Sequence, residues 1–151
     1  MKKLLSFLKS FPTGTQSKEV ETSLPLRQLV NQVMIGLLPR NLQQKNLIIN
    51  DVEKGMLVNN ERNILANAIS RLLRTTIVYS SDNAIHVSAN LSGNTTLLNI
   101  TTNDTRNDKA ISNRLRPIKL MTEKIGGTLT VINNKISGTT LSFTFRNQQA
   151  A

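Results

Sequence analysis

The sequence has no cysteine and no tryptophan, one tyrosine and one histidine, His86. Without cysteine there can be no disulfide, thiolate metal ligand or thiol nucleophile. A lone histidine rules out a zinc site built on several imidazoles. Aromatic residues make up only 3% of the chain, too few for the stacking platforms that hold single-stranded nucleic acid. No apolar run approaches the ~20 residues needed to cross a bilayer. The opening MKKLLSFLKSF begins as a signal peptide does. Its apolar run Leu4–Leu8 contains Ser6 and stops at Lys9, short of the roughly 7–15 residues of a secretory core, and no small-residue cleavage site follows. A cytoplasmic location is therefore expected. Acidic residues are also few, nine against nineteen Lys and Arg. They are dispersed, and no G-x-S-x-G motif is present, so neither paired carboxylates nor a serine nucleophile emerges.

What remains is basic and periodic. The length of 151 residues suits one domain with one core. The net charge of +10 is spread along the chain, with +3 in residues 1–20, +1 in 21–60 and +6 in 61–151. Such a surface suits an acidic protein, nucleic acid or anionic lipid, or is simply solvated. In the first eleven residues Leu4, Leu8 and Phe11, with Lys2, Lys3 and Lys9, could form a small amphipathic segment able to lie on an anionic membrane.

Residues 12–23 are polar and aperiodic and read as a linker, so residues 1–23 form a basic lead-in segment. Helical spacing then runs through Leu26, Leu29, Val30, Val33 and Leu37, with Ser23 as cap, Pro25 in the first turn, and Gly36 and Pro39 as its end. Leu47–Ile49 and Met56–Val58 read as short strands. A long helix follows Asn59/Asn60, with Ile64, Leu65, Ala68, Ile69, Leu72, Leu73 and Thr76 on its apolar face. Ala84–Leu91 and Thr95–Thr102 alternate as a hairpin turning at Ser92-Gly93-Asn94. His86 falls opposite Ile85 and Val87, as a surface or lightly packed residue. Asn103–Asn113 reads as a polar loop and Leu115–Lys124 as a helix stopped by Gly126-Gly127. A closing hairpin, Thr128–Ile132 and Thr139–Phe145, precedes a short tail at 147–151. The expectation is an α+β protein: a two-layer sandwich with a mixed sheet of about five or six strands, covered on one face by about three helices.

This order, and four stretches of residues within 24–146, resemble the ATP-binding domain of sensor histidine kinases. Its fold, the Bergerat fold, is shared with type II topoisomerases and mismatch-repair ATPases. The stretches are LRQLVNQVMIGLLPRNLQQKNLIIN, then ERNILANAISRLLRTTIVYS with its terminal Tyr-Ser, then LLNITTND, then LRPIKLMTEKIGGTLTVINNKISGTTLSFTF with its double glycine and Gly-Thr. The resemblance implies a nucleotide cleft, and the chain departs from it in most of the residues that work there. The magnesium-holding asparagine and the asparagine one turn before it correspond to Thr75 and Arg71. Neutral threonine is a poor magnesium ligand, and Arg71 is either a phosphate partner or a solvated cation. The family's Asp-x-Gly-x-Gly is here Asp104-Thr105-Arg106-Asn107-Asp108. The adenine-reading aspartate stays, and both glycines that let the backbone approach are gone. No glycine occurs between Gly93 and Gly126, where the family has a Gly-rich lid. Pro117 falls at the start of the last helix, which should begin later or bend. Gly138-Thr139 matches the closing Gly-Thr, so Asp104 and Thr139 could survive as an adenine-binding pair.

The resemblance therefore implies a degenerate member: a pseudo-ATPase with no catalytic residue and no magnesium site. Its vestigial cleft would be marked by Asp104, Thr139, Thr75 and Arg71, with ATP or ADP as a residual ligand. Residues 1–23 are too short to hold the family's helical hairpin with its phospho-accepting histidine. Function is then expected at a surface. Arg106, Lys109, Arg114, Arg116, Lys119 and Lys124, offset by Asp108 and Glu123, give +4 over 19 residues. This patch suits an acidic partner such as a response-regulator receiver domain or a histidine kinase. The alternatives are a divergent ATP-binding kinase domain completed by a partner chain, and a nucleic-acid or membrane-surface binder.

Overall fold

The structure is a computed structural model, which describes residues 23–80, 83–103, 108–134 and 138–147. Four helices are present among these residues: α1 (Leu26–Gly36), α2 (Leu38–Gln44), α3 (Arg62–Val78) and α4 (Asp108–Glu123). Five strands form the main sheet: β2 (Leu47–Asn50), β4 (Ala84–Ser92), β5 (Thr95–Thr102), β6 (Thr128–Asn134) and β7 (Gly138–Arg146). Their order is β2-β4-β5-β7-β6. Only β2 and β4 run parallel, with Leu47 opposite Ala84; the other neighbours are antiparallel. A separate ribbon pairs β1 (Leu24–Pro25) with β3 (Leu57–Val58). This is the expected α+β sandwich, with the short ribbon and α2 as additions.

Period-two alternation decides the layers. Thr96, Leu98, Ile100 and Thr102 of β5 are buried, as are Leu141, Phe143 and Phe145 of β7 and Ile85 and Val87 of β4. Leu65, Ala68, Ile69, Leu72 and Leu73 of α3 cover them. Burying each such side chain contributes about 1.5–3 kcal/mol. The opposite sheet face is hydroxyl- and amide-rich. There Thr101 Oγ1 lies 3.2 Å from Thr140 Oγ1, and Ser142 Oγ donates to Asn99 Oδ1 at 2.7 Å.

Several boundaries differ from expectation for local reasons. Pro25, not Ser23, is the N-cap of α1, and its side chain makes no capping bond. Proline keeps the residue before it extended, so Leu24 pairs with Val58 and the helix starts only at Leu26. Leu26 N–H is instead satisfied by Met56 C=O at 3.1 Å. Pro39 does not end a helix; it lies in the first turn of α2, where its missing N–H costs nothing. Lys45, at φ 59°, turns the chain out of α2 into β2. Glu61 caps α3 by accepting from Asn63 N–H at 3.3 Å, one residue later than expected. Asn60 anchors that end by accepting from Glu61 N–H and donating to Arg146 C=O, at 2.7 and 2.8 Å.

The largest departure is α4. It begins at Asp108, inside the segment expected to be loop, and runs through Pro117. Ile111, Leu115, Ile118 and Thr122 are its buried stripe, while Pro117 is exposed. A proline on the solvent side leaves the orphaned carbonyl within reach of water, so the apolar stripe prevails over the break. The double glycine closes α4 as expected. Gly126, at φ 70°, is left-handed, and Gly127 N–H returns to Thr122 C=O at 2.9 Å.

Candidate functional site

The end of α3 lies against β5 and β7, and α4 packs beside α3 and on β6. Thr75, Thr76, Tyr79 and Ser80 from the α3 end meet Ile100 and Thr102 of β5, Thr139 and Leu141 of β7, and Ile111 of α4 around one cavity. Two of the expected cleft residues, Thr75 and Thr139, are thus brought together. The space they enclose is about 10 Å³, the scale of one water position; a small-molecule pocket runs to about 300–1,000 Å³.

The hydroxyls here are largely committed to the fold. Thr75 Oγ1 donates to Arg71 C=O and Thr76 Oγ1 to Leu72 C=O, each at 2.9 Å. Both bonds return one turn along α3. Ser80 Oγ lies 3.5 Å from Thr102 Oγ1. Gly138 enters β7 at φ 96°, and a Cβ there would stand 1.9 Å from Thr102 C=O. The Gly-Thr step is therefore required for β7 to pass β5, whatever the cleft binds.

The other expected site residues divide clearly. Arg71 is exposed, does not line the cavity, and its Nε donates to Asn67 Oδ1 at 3.1 Å on the same helix. Asp104 and Arg106 lie outside the described residues, and for Lys109 only the place in the first turn of α4 is described. Arg114, Arg116, Lys119 and Lys124 are all exposed. At about 100° per residue, Arg116 and Leu120 share one solvent stripe of α4, Lys124 follows in the turn just past its end, and Arg114 points to a different side. Leu120 is 63% exposed and stands one turn from each cation. Arg116 Nη2 also donates to Asn113 Oδ1 at 3.3 Å.

His86 is on the polar sheet face, away from the cavity. Its Nδ1 lies 3.1 Å from Asp51 Oδ2, with both side chains about half exposed. Among the described residues no cluster of three or more His, Asp or Glu could hold a metal ion. The cavity lining carries no carboxylate or amide side chain, so among the described residues no donor set fits a magnesium–triphosphate group. No described helix is long and apolar enough to cross a membrane.

Two features escaped sequence reasoning. Ile111 lines the cavity from a segment read as loop, although Ile111, Leu115, Ile118 and Thr122 already carry helical spacing. Leu120 carries no charge and lies outside the apolar stripe, so neither the charge pattern nor the helical spacing marks it.

The architecture defines the histidine kinase-type ATPase fold. Solved structures that resemble it include the histidine kinase AdeS of Acinetobacter baumannii, at TM-score 0.74 and 15% identity over 85% of this chain and 68% of that one. The catalytic domain of histidine kinase ThkA superposes at TM-score 0.71 with 11% identity, covering 83% of this chain and 95% of that one. A mycobacterial sensor histidine kinase, MprB, gives TM-score 0.67 at 14% identity over 85% and 99%. No protein-family model matches the sequence, and no curated protein does. At these identities the likeness establishes the fold.

Proposed function

We propose that this domain is a non-catalytic signalling module that keeps a histidine kinase-type ATPase fold and works through a docking surface on α4. The observation that carries this reading is the cavity where the Thr75 and Thr139 positions meet. Ile111 closes it to about 10 Å³, and the Thr75 hydroxyl that would face a magnesium ion is bonded to its own helix. A nucleotide would have to displace Ile111, which is 7% exposed. That displacement forfeits burial worth about 1.5–3 kcal/mol.

The proposed docking surface is the stripe Arg116–Leu120–Lys124, with Lys119 beside it. An apolar side chain flanked by two cations fits an acidic protein surface with an apolar patch at its centre. A response-regulator receiver domain is the proposed partner. The same kind of partner appears in a solved complex of histidine kinase ThkA with the response regulator TrrA, which this chain resembles at TM-score 0.69 and 10% identity.

Titration against a panel of receiver domains from the same genome tests the proposal. Binding should weaken as salt rises, because the cations are exposed. The double change Arg116→Glu and Lys124→Glu should weaken it at least tenfold, and Leu120→Asp comparably. Arg114→Glu, off the stripe, should change it less than threefold. Equal loss from all three variants, or none from any, would point away from this surface.

A further inference from the structure

A second surface lies at the far end of the helical layer, where α1, α2 and the edge strand β2 enclose an open groove of about 540 Å³. Its lining is mainly apolar: Met34 and Ile35 of α1, Leu38 of α2, and Leu47 and Ile48 of β2. Ile35, Leu38 and Leu47 are 71%, 50% and 63% exposed, three of the seven large apolar side chains that the described residues leave in solvent. Apolar exposure gathered at one place marks a binding surface.

Asn41 lines the groove and is only 8% exposed. Its Nδ2 donates to Asn46 C=O at 2.8 Å, which fixes the amide's orientation. Its Oδ1 is buried, with no hydrogen-bond partner among the described residues.

We infer that the occupant is the chain's own opening segment, residues 4–11. Leu4, Leu5, Leu8 and Phe11 recur at the spacing of one helical face, and Lys2, Lys3 and Lys9 fall outside that set. The tether suits the distance. Twelve linker residues, 12–23, have a root-mean-square span of about 20 Å. From the start of α1 to Ile35 is about 15 Å of helix. A linker matched to its span gives an effective concentration in the millimolar range, enough for a small apolar contact to hold. The described groove side chains include no ionisable group.

The absence of cysteine makes the test direct. The full-length protein carrying Ser10→Cys takes one nitroxide label, and amide signals are read before and after the nitroxide is reduced. The Ile35, Leu38 and Ile48 amides should lose most of their intensity, while the Leu120 amide should keep its own. Adding Leu4→Asp with Leu8→Asp should restore the groove signals, and so should Ile35→Asp with Leu38→Asp, since Ile35 and Leu38 are exposed. Unbroadened groove amides, or broadening that survives both double changes, would overturn the proposal. A mixture of isotope-labelled protein without nitroxide and unlabelled protein with it separates the sources. Groove broadening in that mixture would place the segment of a second copy there and overturn the intramolecular assignment.

Discussion

Gly138→Ala is expected to remove about 4 kcal/mol or more of folding stability, at the extreme of single-residue effects. Two costs combine. The residue sits at φ 96°, where a side chain is strained in any surroundings. The added Cβ would also meet backbone on the next strand, 1.9 Å from Thr102 C=O and 2.7 Å from Asn103 Cα. A flexible side chain could move away, but the ladder between β5 and β7 cannot, because Thr102 is held opposite Thr139. Domains of this size are stable by roughly 5–15 kcal/mol, so the variant should lose from about a quarter to most of its stability. Gly36→Ala is the matched control. It lies in α1 at ordinary φ with nothing within 4 Å of an added Cβ, and should be neutral or stabilising by up to about 1 kcal/mol. Denaturant midpoints of the two variants check both expectations.

Asn46→Ala is the second large effect, expected at about 2–4 kcal/mol. Asn46 is buried where the chain leaves α2 for β2. Its Nδ2 donates to Ser80 C=O at 3.2 Å and to Ile77 C=O at 3.4 Å, and its Oδ1 accepts from Asn83 N–H at 3.2 Å. One side chain therefore caps the C-terminus of α3 and holds the entry to β4. Alanine would strand a backbone donor and remove a capping donor in a site closed to water. Asn46→Asp keeps the acceptor but replaces the donor with a buried charge, so it should not restore stability. Amide exchange at Asn83 and at the α3 end should accelerate in both variants before global unfolding.

The long elements were legible because their periods are clean. The wide apolar face of α3 and the alternation of β4, β5 and β7 survive any local exception. The double glycine after α4 was legible because only glycine takes the left-handed closing position without strain. The start of α4 was not. Asp, Asn, Lys and a mid-helix proline outweigh, by propensity, an apolar stripe whose value depends on α3 and β6 packed against it. The same tertiary effect hid Ile111, and with it the closure of the cavity. Thr75 and Thr139, which the resemblance assigns to one cleft, line one cavity. That Thr75 spends its hydroxyl on Arg71 C=O follows from α3 geometry, which spacing does not reveal. Arg71 illustrates the limit of charge reading: its guanidinium is tied to Asn67 on the helix surface. Asn41 and Asn46 lie among 18 scattered asparagines, and nothing local distinguishes a buried amide from an exposed one.

The central claim is that the nucleotide cleft has been closed and the domain acts through its surfaces. Calorimetric titration of the full-length protein with ATP and ADP, with and without Mg²⁺, tests it most directly. The account predicts no binding up to millimolar nucleotide and no shift in melting temperature, because a ligand at about 100 times its dissociation constant would add about 2.7 kcal/mol. Saturable binding that Asp104→Asn abolishes would contradict the account and make this chain an ATP-binding domain awaiting a phospho-accepting partner.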